Sequence, residues 1–182
     1  MNRIKYQEEL IKAMEMLGQE HTIFIGQTVE YSGSPMFNSL IRVPKEKRLE
    51  FPVAEDTQMG VSIGLSLEGF IPVTIFPRID FLICAVNQLV NHLDKIESMS
   101  QGEFTPGVII RTQIGNTKPL NPGPQHTGDY TKGLKAMLKN VKVIRLRKSE
   151  EVFLGYVEAL KRAKLGKSTL IIESPSGRWE AK

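Results

Sequence analysis

At 182 residues, with 41% hydrophobic and 24% charged side chains, the chain has the size of one domain with a buried core, and its composition is neither disordered nor fibrous. Its 24 Lys and Arg against 20 Asp and Glu leave a net charge of +4, interspersed rather than gathered in a tract; this argues against nucleic acid or a membrane as partner and leaves anionic small molecules open. One cysteine, Cys84, excludes an internal disulfide framework and a multi-cysteine zinc site.

No apolar h-region follows Met1, and no run approaches the ~20 apolar residues of a membrane span, so a cytoplasmic protein is expected. Ile4, Leu10, Ile11, Met14 and Leu17 recur at helical spacing, with Gly18 placed to close the helix. Thr22 to Ile25 is a short apolar run and reads as a buried strand. Residues 31–47 carry Gly, Ser, Pro and charge and read as a surface connection. Helical spacing returns from Glu55 to Glu68, with Gly60 and Gly64 one turn apart. Pro72 to Phe76 is strand-like, and Asp80 to Met99 predicts a long helix with Leu82, Val86, Leu89, Val90 and Leu93 turned inward.

Val108 to Ile110, Val141 to Ile144 and Thr169 to Ile172 complete the predicted strands. Val152, Phe153, Tyr156, Val157 and Leu160 mark a helix over 150–165, with Ser149 as its N-cap. Strands that are apolar throughout, alternating with helices, define the α/β class: a single domain over residues 1–182, with a mostly parallel sheet and helices on both faces. The segment from Ile114 to Thr131 breaks this regularity. Gly115, Asn116, Pro119, Asn121, Pro122, Gly123, Pro124 and Gly128 suit neither helix nor strand. A connection of that length inside a compact domain is usually functional, and it follows a strand, where the ligand crevices of open α/β sheets lie.

Phosphate-binding GxxxxGK[ST] and GxGxxG motifs are absent, no GxSxG elbow follows a predicted strand, and His21, His92 and His126 show no metal-ligand spacing, so no protein-supplied metal site is expected. Glu55, at a strand-to-helix junction, would ordinarily serve the helix dipole. Phe81 and Cys84, about one turn apart, occupy positions that are ordinarily core, and His126 lies in a polar loop where histidines are ordinarily solvated.

As an ordered set, these residues read differently. Phe51-Pro52-Val53-Ala54-Glu55, then Gly60, Gly64 and Gly69, then Pro72-Val73, resemble a recurrent block of the pyrimidine-binding domain of transketolase-like thiamine diphosphate enzymes. The resemblance is closest to the beta subunit of the pyruvate and branched-chain 2-oxoacid dehydrogenase first component. It continues through Phe76, Phe81, Gln88, Asn91, the Ser98 to Gly102 stretch, Arg111 and Gln125-His126, and upstream through Gly26 to Val29 and Tyr31 to Gly33, covering Thr22 to Ser174.

The resemblance implies roles. Glu55 would hydrogen-bond a ring nitrogen of the cofactor's aminopyrimidine, sharing a proton so that the cofactor can take the proton from its own thiazolium carbon. Phe81 would stack on the pyrimidine, His126 would face the substrate end, and Gly60 and Gly64 would allow close helix packing between subunits. Two departures accompany it. The family's beta subunits usually carry two acidic residues where this chain has Gln27-Thr28, and neither their C-terminal domain nor the Gly-Asp-Gly motif with its downstream Asn is found. That motif belongs to a separate domain, so the implied protein is half of an active site. The expectation is a subunit of a split thiamine diphosphate enzyme, active only with a separate diphosphate-binding subunit that holds magnesium, in a hetero-oligomer built on a dimer. It would decarboxylate a 2-oxoacid or, as the runner-up, transfer two carbons from a ketose. A non-catalytic α/β scaffold or regulatory subunit that keeps the fold is the alternative, with an unrelated flavodoxin-like binding domain behind it.

Overall fold

The computed structural model describes residues 3–117 and 121–174. Short strands that are apolar on both faces are stable only where both faces are covered. Four such strands, β1 (Thr22–Gly26), β3 (Ile71–Phe76), β4 (Ile109–Gln113) and β6 (Thr169–Glu173), form the middle of a sheet edged by β2 (Arg48–Glu50) and β5 (Lys142–Leu146). The six strands run parallel in the order β2-β1-β3-β4-β6-β5. The α/β class, the parallel sheet and its two covered faces are as the sequence pattern implies.

Helices α1 (Arg3–Gly18), α2 (Pro35–Ser39) and α7 (Ser149–Ala163) cover one face, where Tyr6, Leu10, Met14, Met36, Val152 and Tyr156 meet Val73, Ile75, Ile109 and Ile171. On the other face α3 (Glu55–Leu67), α4 (Ile79–Leu82) and α6 (Thr131–Met137) bring Met59, Ile63, Leu82 and Leu134 onto Phe76, Ile110, Leu170 and Ile172. Neighbouring residues within β3, β4 and β6 thus serve opposite cores, the period of two that a pleated strand imposes.

The first core contains charge. Arg111, just past the strand expected over Val108 to Ile110, is the third residue of β4 and fully buried. Its Nε donates to Glu173 Oε1 at 2.7 Å and its Nη1 to Ser39 Oγ at 2.8 Å, while the Tyr156 hydroxyl donates to the same Glu173 oxygen at 2.8 Å. Burial works against the Arg111 charge, but Glu173 beside it more than offsets this and holds the guanidinium's pKa above its ordinary value. Burial, then the Glu173 charge, push the Tyr156 phenol well above its ordinary range, so it remains a donor.

Several local expectations are corrected. The 31–47 segment is more than a surface connection, because α2 lies within it and Met36, Leu40 and Val43 enter the first core. The Asp80 to Met99 helix is not continuous: α4 passes into a 3-10 turn at Ile83–Ala85, a π-helical stretch at Gln88–Leu93 and a short α5 (Ile96–Met99). The widened turn, with Asp94 N–H donating to the Leu89 carbonyl, keeps Leu82, Ala85, Leu89 and Leu93 all on the core. The Asp94 carboxylate then accepts the backbone N–H groups of Lys139, Asn140 and Val141, which fixes the entry to β5. Cys84 is exposed rather than core. Ser149 falls inside the first turn of α7; the Glu151 carboxylate accepts the N–H groups of Arg147 and Lys148 ahead of it. Among the described residues no helix is long and apolar enough to cross a membrane.

Candidate functional site

Because all strands are parallel, every crossover leaves the sheet at the same end, and the four neighbours β2, β1, β3 and β4 deliver their following loops side by side. A Cβ on Gly26, the last residue of β1, would lie 2.3 Å from the Ile75 carbonyl oxygen, so only glycine lets β1 finish against β3 there. The chain then turns sharply, with Thr28 in the left-handed region at φ 61. This turn is held by Glu50, at the end of β2, whose carboxylate accepts the N–H groups of Thr28, Val29 and Glu30 at 2.7, 2.8 and 2.9 Å. Three charge-assisted bonds to consecutive amides make this a firm clamp. Sequence reading does not single out Glu50, since its role appears only when β2 lies beside β1.

The clamped turn presents Gln27, whose Nε2 donates to Glu55 Oε1 at 3.3 Å. Glu55 opens α3 and is half-buried. The first turn of that helix is pinned to β3 by Gln58, fully buried, which donates to Thr74 Oγ1 at 2.8 Å and to the Ile75 carbonyl at 3.1 Å. On its far side Gln88 Nε2 donates to Asp56 at 3.3 Å. Glu55 is thereby held in position and orientation by residues on β1, β3 and the π-helical stretch. A carboxylate offers about four acceptor positions, and the Gln27 amide occupies one.

Beyond β3, Phe81 on α4 meets the His126 ring edge to face, with centroids 5.4 Å apart. His126 ends a 3-10 turn, Pro124–His126, in the loop after β4; Pro119 of that loop lies outside the described residues. The loop is anchored by Asp80, whose carboxylate accepts the Gly128 N–H at 3.1 Å and the Tyr130 hydroxyl at 3.4 Å. His126 Nδ1 is buried with no hydrogen-bond partner among the described residues. A buried polar atom left this way is costly in a finished core and ordinary at a site that awaits a ligand.

Gly115 decides where His126 sits. A Cβ there would fall 1.5 Å from the His126 carbonyl oxygen, which is backbone and cannot yield without moving the loop. Gly115→Ala is therefore expected to break the Phe81–His126 contact while the sheet stays folded. Loss of the ring-contact signals between Phe81 and His126 in NMR spectra, with an unchanged far-ultraviolet spectrum, would check this.

The residues singled out from sequence are thus brought together as two pairs, Gln27–Glu55 and Phe81–His126, on neighbouring crossovers at one end of the sheet. The arrangement suits a flat heteroaromatic ring that can share a proton: an oriented carboxylate, an aromatic ring and an unsatisfied imidazole nitrogen. Among the described residues no three His, Cys, Asp or Glu side chains converge.

The fold is that of transketolase-like α/β domains. The chain is 31% identical over 110 residues to the pyruvate dehydrogenase E1 component subunit beta of Cyanidium caldarium, covering 58% of this chain and 34% of that protein. It is 29% identical over 97 residues to the 3-methyl-2-oxobutanoate dehydrogenase subunit beta of Mycobacterium tuberculosis, covering 51% of this chain and 28% of that one. The chain therefore spans about a third of the length of these curated relatives. No protein-family model matches it. Among solved structures, a split-gene transketolase described as an inactive beta4 tetramer superposes with a TM-score of 0.70 at 21% identity, over 94% of this chain and 52% of that one. Transketolase from Leishmania mexicana gives 0.68 at 19% identity, over 92% of this chain and 25% of that one.

Proposed function

We propose that the chain is the pyrimidine-binding subunit of a split thiamine diphosphate enzyme that acts on a 2-oxoacid or a ketose. The observation that carries this reading is Glu55 at the first position of α3, oriented by Gln27 and set at the same sheet end as the Phe81–His126 pair. The sequence relatives, beta subunits of 2-oxoacid dehydrogenases, favour decarboxylation over two-carbon transfer.

When bound, thiamine diphosphate would supply a carbon nucleophile. This chain's part is to hold the aminopyrimidine and manage its proton. Glu55 shares a proton with a pyrimidine ring nitrogen, and general acid–base help of this kind is worth about 10²–10⁴ in rate. Gln27 differs from the acidic residues usual in the beta subunits: its amide donates to Glu55 without adding a second negative charge, and so would occupy one carboxylate oxygen and leave the other for the pyrimidine. Phe81 packs on the pyrimidine. His126, whose Nδ1 has no partner among the described residues, hydrogen-bonds the substrate carboxylate or exchanges a proton with the substrate. The diphosphate and its magnesium are held by a partner subunit, and the open face of α3 around Gly64 is where a second subunit packs.

The test is reconstitution. The isolated chain is expected to bind thiamine diphosphate weakly or not at all in calorimetry, and a co-purified diphosphate-binding subunit is expected to restore magnesium-dependent binding. In that complex, His126→Ala should leave cofactor binding intact and slow turnover. Tight magnesium-dependent binding by this chain alone, or wild-type turnover in the variant, would count against the assignment.

A further inference from the structure

Where β5 ends, positive charge gathers in a concavity. Arg145, Arg147, Lys132 and Lys135 line a cleft of about 650 Å³ together with Asp129 and Thr131. Four cations against one carboxylate make a local surplus of three, in a chain whose whole surplus is four. The single carboxylate is already engaged. Asp129 pairs with Arg145 at 2.9 Å and accepts the Thr131 hydroxyl at 2.6 Å and the Thr131 N–H at 3.1 Å. Burial alone would raise the Asp129 carboxyl, but the two Thr131 bonds and the Arg145 charge outweigh it and hold the group below its ordinary value, so it is ionised at neutral pH.

The neighbouring carboxylates on α7 are engaged as well: Glu150 with Lys5 and Ser149, Glu151 with the backbone of Arg147 and Lys148. The side chains of Lys132, Lys135 and Arg147 are exposed and have no ion-pair or hydrogen-bond partner among the described residues. Arg145 by contrast is fixed by Asp129 and by Ser174 at 3.4 Å, and its Nε is buried with no partner among the described residues. Cations gathered in a concavity repel one another unless an anion joins them. A guanidinium held in one orientation beside mobile ammonium groups suits an oxyanion with several acceptor oxygens. With three of the chain's four surplus charges in this cleft, the remainder carries a net charge of one, which favours a small anion over a long polyanion.

We propose that this cleft binds a small phosphorylated anion through Arg145, Arg147, Lys132 and Lys135. The residues are distinct from Glu55, Phe81 and His126, so the site stands or falls independently of the cofactor reading. Its loop is nevertheless shared: Asp129 follows His126 by three residues and is next to Gly128, which Asp80 anchors.

The experiment is a ¹H–¹⁵N NMR titration of the full chain with inorganic phosphate and then pyrophosphate, at ionic strength held constant with chloride, and with acetate as a carboxylate control. Saturable shifts confined to the amides of 131–135 and 145–147 and to Arg145 Nε are expected, with pyrophosphate binding more tightly than phosphate. Lys135→Gln combined with Arg147→Gln, both exposed, should weaken pyrophosphate binding by about tenfold or more while leaving the remaining spectrum unchanged. Shifts that follow ionic strength alone, an equal response to acetate, or full binding by the double variant would overturn the proposal.

Discussion

Replacing Glu55 with glutamine is expected to slow deuterium exchange at the thiazolium carbon of thiamine diphosphate by about 10²–10⁴, measured in the complex with the diphosphate-binding partner. The substitution preserves shape, and the Gln27 contact can survive it, because the Gln27 amide can turn so that its oxygen accepts from the new amide. In the role proposed for Glu55, what would disappear is the capacity to share a proton with the pyrimidine. Cofactor affinity should therefore fall far less than exchange. The opposite pattern is equally informative: wild-type exchange in Glu55→Gln would reduce Glu55 to a carboxylate that complements the α3 dipole, a role worth about 0.3–1 kcal/mol.

The second large effect belongs to the buried ion pair. Glu173→Gln leaves the Arg111 guanidinium at 0% exposure with no counter-charge, and loss of one partner from such a pair costs about 3–5 kcal/mol. Urea denaturation should show a lower midpoint with an unchanged slope. Replacing both partners with apolar residues of similar size, Arg111→Met with Glu173→Leu, is expected to recover much of that loss, since the desolvation cost disappears with the charges. Exposed pairs such as Lys5–Glu150 and Arg42–Glu15 serve as controls and should contribute less than about 1 kcal/mol. A loss from Glu173→Gln no larger than the controls would mean that water reaches Arg111.

The strands at the heart of the sheet were legible because their constraint is local: a segment covered on both faces must be apolar at every position, and Thr22 to Ile25, Pro72 to Phe76 and Thr169 to Ile172 are nearly so. β2 was not legible. Arg48, Leu49 and Glu50 carry no strand pattern, and they are extended only because β1 offers an edge to pair with. α6 was missed for a related reason: in Thr131–Met137 only Thr131 and Leu134 are buried, too few to establish a period. The site divides along the same line. Glu55 at a helix start, and a long irregular loop carrying His126 after a strand, can be read from the chain. The Gln27–Glu55 contact and the Glu50 clamp cannot, because they join residues 20 to 28 positions apart through strand adjacency. The cationic cleft was hidden in a near-balanced composition, since its members come from two separate segments.

The place of β6 has a consequence for biosynthesis. This strand, the sixth in sequence of the described sheet, lies between β4 and β5, so neither neighbour completes its pairing until residues 169–173 have emerged. During translation β4 and β5 present unpaired edges, and Arg111 has no Glu173 to meet. The nascent chain therefore carries a raw sheet edge and an unneutralised guanidinium until β6 arrives, and such edges invite association with other chains. A frameshift or stop codon ahead of β6 would do more than shorten the protein: it would leave both edges permanently open, and the product should accumulate as aggregate or be cleared by proteases.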